Sequence, residues 1–371
     1  MKRILLLSVL FAGTLQAATY SGKPEAGAIR QVCDSVARWE ITHRSECRHH
    51  DLNWTNGALY AGMFEWAEVT GNEEIFDFLM NIGKKNLWRL AVRTYHADDM
   101  AVGLGFLKMY RRYGDEAMMM PAAERAHYIA THPYPAPLDK SDELGKNHRW
   151  SWCDALFMAP PVFAQLYGIT GEPVYLEFLE KEYRECTDSL YDRTEHLYYR
   201  DCMRKAQPEK NGAKQFWARG DGWVFGGIPQ VLDALPADYA GREYFLTIFR
   251  EMAARLVELQ DKDGHWHASL LNPAAYPDPE NSASAFFCYG LAWGIRNGVL
   301  KGKTYRKALE KGWAGLVEGV HPDGMLGYVQ PVGAAPQKAA YDKTEVYGTG
   351  AFLLAGTEMY KLYGQGRRLF K

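Results

Sequence analysis

The stretch SASAFFCYGLAWGIRNG, from Ser282 to Gly298, combines an apolar helical pattern with small residues at many of its positions. Glycine destabilises a helix by about 0.5–1 kcal/mol relative to alanine, so its repeated use in a helix needs a packing reason. Small residues allow helix backbones to approach one another closely around a common axis. The stretch therefore predicts a helix inside a larger helical assembly.

Stretches of this small-residue type recur along the chain. Their starts are about 45–70 residues apart, which is enough for one helical hairpin each. The other five begin at Trp54, Asp98, Trp152, Trp223 and Thr344.

Conventional amphipathic helices are predicted between these stretches. In PVYLEFLEKEYREC, the residues Leu176, Leu179, Tyr183 and Cys186 fall on one face, and Pro173 suits the first turn. Six small-residue helices that alternate with six amphipathic ones predict two concentric rings, an all-α (α/α)6 barrel in one domain. The alternative is an irregular helical bundle.

The N-terminus has the charged, apolar and small-residue regions of a secretory signal. MKR precedes the apolar run ILLLSVLFAGTL, which is shorter than the ~18 residues that a membrane span needs, and QAAT follows it. We therefore expect a signal peptide at residues 1–17, a single catalytic domain at residues 18–371, and an exported, periplasmic protein. No later segment predicts a membrane span.

Composition excludes some classes of function. The formal net charge is −2, so no basic field is available to hold nucleic acid. HExxH, CxxC and phosphate-loop motifs are absent, so the sequence predicts neither a metal nor a cofactor. The six cysteines leave Cys33–Cys47 and Cys186–Cys202 bridges possible, although buried free thiols are favoured. The oligomeric state cannot be read from the sequence.

The segment WARGDGWVFGG, from Trp217 to Gly227, is the first candidate for a ligand site. Its glycines let the backbone approach a ligand, tryptophan faces stack on sugar rings, and arginine grips a carboxylate with two nitrogens. The segment predicts a site for an acidic sugar.

Carboxylates near the starts of other inner helices are candidates for the chemistry. Asp154 lies among Trp150, Trp152 and the apolar run that follows, and desolvation there would raise its pKa toward that of a general acid. Asp98 and Asp99 offer a second carboxylate. Helix capping is the alternative role for all three.

Five segments together resemble the unsaturated rhamnogalacturonyl hydrolases, glycoside hydrolase family 105, which are related to the unsaturated glucuronyl hydrolases. The resemblance runs from about Trp54 to Tyr360. It implies the (α/α)6 barrel and an acidic oligosaccharide substrate whose terminal 4,5-unsaturated uronic acid is removed by hydration of its vinyl ether. The segments are HADDMAVG, RWSWCDALFMAPP, WARGDGWVFGG, SASAFFCYGLAWGI and TEVYGTGAFLLAG.

The resemblance also implies roles for individual residues. Asp154 matches the acid/base position and Asp98 the second acidic position, although Asp99 leaves that choice open. Cys153 departs from the pattern, since many relatives are expected to have an acidic residue there. The residues expected to contact substrate are Trp217, Arg219, Trp223, Trp152, Lys146, His148 and Asp99.

Other functions fit the same sequence. An inverting glycosidase or a sugar epimerase on an (α/α)6 barrel would act on saturated sugars. A periplasmic sugar-binding protein without activity is a third possibility, against which the retained Asp154 and Asp98 argue.

Overall fold

The architecture comes from a computed structural model, which describes residues 20–138 and 147–364. The predicted signal peptide at residues 1–17 lies outside the described residues, as does Lys146. Within the described ranges, none of the helices combines the length and apolarity that a bilayer span requires.

The described residues are mostly helical. The α-helices, in chain order, are α1 (Ala26–Thr42), α2 (Thr55–Thr70), α3 (Glu73–Lys85), α4 (Gly103–Tyr113), α5 (Met120–Thr131), α6 (Ala155–Met158), α7 (Pro160–Thr170), α8 (Pro173–Leu190), α9 (Cys202–Lys205), α10 (Ala218–Ala234), α11 (Arg242–Glu258), α12 (Asn281–Arg296), α13 (Lys303–Glu318) and α14 (Val346–Gly364). Short 3₁₀ helices cover Arg44–Glu46, Ala97–Met100, Glu116–Met118 and Pro273–Ala275. A small antiparallel hairpin pairs β1 (Tyr191–Asp192) with β2 (Leu197–Tyr198).

The helices form two concentric rings. In the inner ring, α2 contacts α4, α4 contacts α7, and the contacts continue through α10, α12 and α14 back to α2. The outer helices α1, α3, α5, α8, α11 and α13 pack against inner helices next to them. The predicted (α/α)6 barrel is therefore confirmed.

Glycines close the inner ring where its first and last helices meet. A Cβ atom on Gly62 of α2 would lie 2.2 Å from the carbonyl oxygen of Gly350 on α14, and one on Gly350 would lie 2.3 Å from the carbonyl carbon of Ala58. The two backbones are therefore in direct contact, which only residues without a Cβ permit. This is the packing reason that the glycine-rich pattern indicated.

Proline divides the third inner helix into α6 and α7. Pro160 has no N–H to donate and restricts Ala159 before it, so one continuous helix gives way to a short turn and a longer helix. The outer helix α8 follows its prediction, with Pro173 at its first turn and Leu179, Tyr183 and Cys186 fully buried.

All six inner segments enter the ring from the same end. The loops that lead into them, and the β1–β2 hairpin, therefore gather side chains from distant parts of the sequence at one mouth. The candidate carboxylates lie there, in the 3₁₀ helix before α4 and directly before α6.

Candidate active site

Asp154 is buried at the mouth of the ring and has no capping role. Its side chain is 10% exposed and accepts no hydrogen bond from the first turn of α6. The Cys153 thiol donates to Asp154 Oδ2 over 3.5 Å, and Arg200 Nε lies 3.7 Å from the same oxygen. Burial raises the pKa of Asp154, whereas the positive charges of Arg200 and Arg219 act in the opposite direction.

Asp98 faces Asp154 closely enough for the two charges to interact. Burial raises the pKa of Asp98 to about 7, and the negative charge of Asp154 adds to the shift. His96 Nδ1 lies 3.7 Å from Asp98 Oδ2 and accepts a hydrogen bond from the Asp98 backbone N–H. The His96 side chain therefore caps the 3₁₀ helix, and the Asp98 carboxyl is left to interact with the neighbouring charged side chains. Two carboxyl groups with raised pKa values can hold a proton near neutral pH.

Asp99 is occupied by Arg93. One of its oxygens accepts from the Arg93 backbone N–H over 2.6 Å, and the other accepts from Arg93 Nε over 3.0 Å. The side chain is only 5% exposed. Of the two neighbouring aspartates, Asp98 is therefore the one that interacts with Asp154, and Asp99 holds the preceding loop. The expected substrate contact of Asp99 has no support in this arrangement.

Arg219 is fully enclosed in the protein. It has no exposed surface, and its terminal nitrogens donate to the carbonyl oxygens of Gln330 over 2.6 Å and Pro331 over 2.9 Å. Its guanidinium lies between the rings of Trp217 and Tyr347, at 4.5 and 4.7 Å from their centroids. The expectation of a direct grip on a substrate carboxylate is not supported, because the side chain is buried and its two terminal nitrogens already hold the loop before α14.

The tryptophans of the same segment also lie inside the protein. Trp217 is 2% exposed and donates from Nε1 to Gln330 Oε1 over 3.1 Å. Trp223 is fully buried, with ring centroids 4.9 Å from Phe157 and 4.6 Å from Phe286. Neither ring presents a face to a sugar in this structure, contrary to the expected stacking. The reason is that Trp223 lies in α10 and packs against neighbouring inner helices, while Trp217, directly before α10, is held by its hydrogen bond to Gln330.

Trp54 is the more open aromatic side chain beside them. It is partly exposed, stacks on Tyr347 with ring centroids 5.7 Å apart, and meets the edge of Trp223 at 6.1 Å. Sequence reasoning used Trp54 only as the start of an inner helix. Its position directly before α2, equivalent to that of Asp154 before α6, was the available signal.

Arg200 is the second functional candidate that sequence reasoning missed. Its side chain is 21% exposed, its Nη1 donates to Asp201 Oδ2 over 2.7 Å, and its charge lowers the pKa values of both Asp154 and Asp98. Arg200 lies in the segment HLYYRD, two residues after the end of the short strand β2. No local pattern indicates that the residue after this strand reaches Asp154.

Two contacts fix the segment that carries Arg200. Asp221 in the first turn of α10 accepts a hydrogen bond from the Tyr198 N–H over 2.7 Å, and the Cys153 N–H donates to the Arg200 carbonyl over 2.9 Å. Cys153 is a free thiol, as are the other five cysteines, so neither of the two possible bridges is present. The hairpin segment is thus hydrogen-bonded to the start of α10 and to the residues directly before α6.

Trp152 and His148 both lie near His96. Trp152 is 3% exposed, with its ring centroid 5.0 Å from that of His96. Burial lowers the pKa of His96 to about 4, and the nearby charges of Arg93 and His148 contribute, so His96 is neutral at physiological pH. Trp152 is therefore a buried packing residue beside His96, whereas the side chain of His148 is partly exposed. Among the described residues, no His, Cys, Asp and Glu side chains group as metal ligands would.

Comparison with known proteins agrees with this geometry. The sequence profile described as Glycosyl Hydrolase Family 88 matches residues 29–363. The chain belongs to this family. A protein of Formosa agariphila named unsaturated 3S-rhamnoglycuronyl hydrolase is 36% identical to this family 88 chain across 97% of its length and 98% of the relative's. A protein of the same name from an Alteromonas species is 33% identical, across 89% and 85% of the two chains.

A solved structure supports both fold and family. The structure titled glycosyl hydrolase family 88 from Bacteroides vulgatus is 31% identical, covers 91% of this chain and 99% of its own, and superposes with a TM-score of 0.82. These matches confirm the prediction of a glycoside hydrolase that removes an unsaturated uronic acid from oligosaccharides.

Proposed function

We propose that this family 88 enzyme hydrates the double bond of a terminal 4,5-unsaturated uronic acid, with Asp154 as its acid and base. The observation that supports this most strongly is the buried Asp154 carboxyl, whose pKa is raised. It lies 3.7 Å from the Nε of Arg200, a side chain that is itself partly exposed. The raised pKa favours the protonated form of this carboxyl, which is the form that a general acid needs. A bound uronate would add a further negative charge and favour the protonated form of Asp154 even more.

The chemistry needs a single carboxyl group. The C4–C5 π bond takes the proton of Asp154 at C4, and positive charge develops at C5 and the ring oxygen. Water adds its oxygen to C5 and gives a proton back to the Asp154 carboxylate. The resulting hemiketal opens to a ketone at C5, and the hemiacetal at C1 then releases the remaining saccharide as an alcohol. General acid–base assistance of this type contributes roughly 10²–10⁴-fold to the rate.

Arg200 and Asp98 would support this reaction from either side of Asp154. Arg200 is a permanent cation with side-chain surface at the mouth, so it is suited to hold the uronate carboxylate in place of Arg219. Asp98, with a pKa of about 7, can exist as a neutral carboxyl that donates a hydrogen bond to a sugar hydroxyl.

For the substrate, we propose an unsaturated uronyl residue linked to rhamnose. The support is the name that the two relatives share, unsaturated 3S-rhamnoglycuronyl hydrolase. Pectic rhamnogalacturonan fragments, the default expected from the resemblance, are the competing substrate. A panel of lyase-generated disaccharides with either linkage, followed by loss of the ultraviolet absorbance of the double bond, distinguishes them through kcat/KM.

We also propose that the protein is exported to the periplasm. The support is the pattern of residues 1–17, a short basic start followed by an apolar run and small residues. Mass spectrometry of the N-terminus of the protein recovered from a periplasmic fraction tests this. Recovery with the N-terminal pattern intact in the cytoplasmic fraction would contradict it.

The role of Asp154 is tested by Asp154→Asn, which keeps the shape of the side chain and removes its proton. We expect kcat to fall by at least about 10²-fold while the melting temperature stays close to that of the wild type. Asp115→Asn is the matched control, because Asp115 is exposed and far from the mouth, and asparagine retains its cap. Activity of Asp154→Asn within tenfold of the wild type would refute the assignment.

A further inference from the structure

Four aromatic side chains form a connected surface cluster beside the active site: Tyr95, Tyr128, Tyr134 and His148. We refer to these four as the rim cluster. The Tyr95 ring centroid lies 5.5 Å from that of Tyr134 and 6.2 Å from that of Tyr128, and His148 lies 4.2 Å from Tyr134. The most exposed member is Tyr128, with 48% of its surface open, and the other three are partly exposed.

The rim cluster lies at the same end of the ring as the carboxylates. Outer helices end where inner helices begin, and Tyr128 lies near the C-terminal end of the outer helix α5. Tyr134 follows in the loop toward α6, and Tyr95 precedes the 3₁₀ helix that carries Asp98. Three separate segments therefore bring these rings to the mouth.

His148 connects the rim cluster to the candidate carboxylates. On one side it meets the Tyr134 and Tyr95 rings, at 4.2 and 5.9 Å. On the other side its charge acts on His96, whose Nδ1 lies 3.7 Å from Asp98 Oδ2. His148 thus connects the partly exposed rings of the rim cluster to the buried His96, which lies beside Asp98.

The chemistry of the rim cluster suits a saccharide. The flat rings can pack against the C–H faces of pyranoses, and the phenol and imidazole groups can hydrogen-bond to hydroxyls. The cluster itself contains no carboxylate, and the nearby Asp99 is paired with Arg93, so an acidic glycan would meet little repulsion. Buried aromatic packing does not account for the cluster, since its rings remain at the surface.

We propose that the rim cluster is a subsite for the leaving saccharide. It binds the sugar residues that follow the one directly attached to the unsaturated uronate. This inference rests on the proposed function, because it places the scissile residue at Asp154 and Asp98. It further predicts that the enzyme acts better on longer unsaturated oligosaccharides than on the disaccharide. A second copy of this chain is the competing occupant of an exposed aromatic surface.

The test compares kcat/KM for an unsaturated tetrasaccharide and the corresponding disaccharide in the wild type, Tyr128→Ala and Tyr134→Ala. We expect the wild type to prefer the tetrasaccharide and each substitution to reduce the ratio of the two kcat/KM values about threefold to tenfold, mainly through KM of the tetrasaccharide. Tyr113→Ala is the matched control, since Tyr113 is 43% exposed at the C-terminal end of the inner helix α4, at the end of the ring opposite the mouth. Its ratio should equal that of the wild type.

Several outcomes would overturn the inference. A wild-type enzyme that does not distinguish the two lengths, or variants that retain the wild-type ratio, would contradict the subsite. Dissociation of a wild-type dimer by Tyr128→Ala, seen by light scattering, would assign the surface to a second copy instead. Failure of the proposed function looks different, because the wild type would then turn over neither unsaturated substrate.

Discussion

Replacement of Arg200 by methionine removes the cation beside Asp154 and keeps a long side chain. Two unit charges about 4 Å apart interact by roughly 4 kcal/mol at an effective dielectric constant near 20, which corresponds to about three pKa units. Arg200 Nε lies 3.7 Å from Asp154 Oδ2, and the side chain is 21% exposed, so solvent screening reduces the effect. We therefore expect the pKa of Asp154 to rise further when this cation is removed, because the carboxylate loses a stabilising positive charge.

Arg200→Met should change the kinetics in two ways. The limb of the kcat/KM profile that falls as Asp154 loses its proton should shift to higher pH, because the carboxylate is no longer stabilised. KM should rise about 10- to 150-fold, the equivalent of a lost charge-assisted hydrogen bond of about 1.5–3 kcal/mol to the substrate carboxylate. Both values come from initial rates of absorbance loss on an unsaturated disaccharide between pH 4 and 9.

Two further variants separate this role from a structural one. Arg193→Met changes an arginine of the same hairpin whose side chain is 74% exposed, so it should match the wild type. Arg200→Lys keeps the charge and should restore part of KM and most of the pH profile. The reasoning is refuted if Arg200→Met keeps KM within twofold of the wild type and shows no shift of the limb.

Three other substitutions test separate parts of the account. The folded state raises the pKa of Asp98 from 3.8 to about 7, so this group contributes stability that is complete below about pH 4 and is lost as pH rises through 7. Asp98→Asn should therefore reduce the fall in melting temperature between pH 5 and pH 8. An identical fall in the variant and the wild type would contradict the shift. Gly62→Ala should destabilise the fold by about 1–3 kcal/mol in denaturant titrations, whereas Gly27→Ala, with nothing within 4 Å of the new Cβ, should not. Arg219→Ala should lower the melting temperature by several degrees, because two loop carbonyls lose their donor; an unchanged melting temperature with a raised KM would restore its role in direct substrate binding.

The fold was predictable because its cause is local. Helices that crowd around an axis need small residues wherever their backbones meet, and the contact between Gly62 and Gly350 is an instance of that need. The spacing of such helices then implies hairpins, and six hairpins close into a ring. The break between α6 and α7 follows from Pro160. The sequence pattern predicted a single inner helix there, because the small-residue pattern continues on both sides of the proline.

The positions of Asp98 and Asp154 were predictable for a similar reason. Both precede inner helices, and all inner helices of such a ring begin at the same end. The choice between Asp98 and Asp99 was not predictable, because it depends on the side-chain contact of Asp99 with Arg93.

The partners of Arg219 and Arg200 could not be read from the sequence. Arg219 bonds to carbonyls more than one hundred residues away, and a motif that suits carboxylate binding equally suits the anchoring of a loop. Arg200 reaches Asp154 only because the β1–β2 hairpin is held by Asp221 and Cys153. Long-range contacts of this kind decide which of several arginines reaches the mouth.

The comparison of one unsaturated disaccharide with its saturated counterpart tests the central claim most directly. Both contain the same glycosidic bond, and only the first has a C4–C5 double bond for Asp154 to protonate. We predict that kcat/KM for the unsaturated disaccharide exceeds that for the saturated one by at least about 10³-fold, since hydration has no equivalent in the saturated sugar. Hydrolysis of the two at similar rates would contradict this chemistry and identify direct attack on the glycosidic bond.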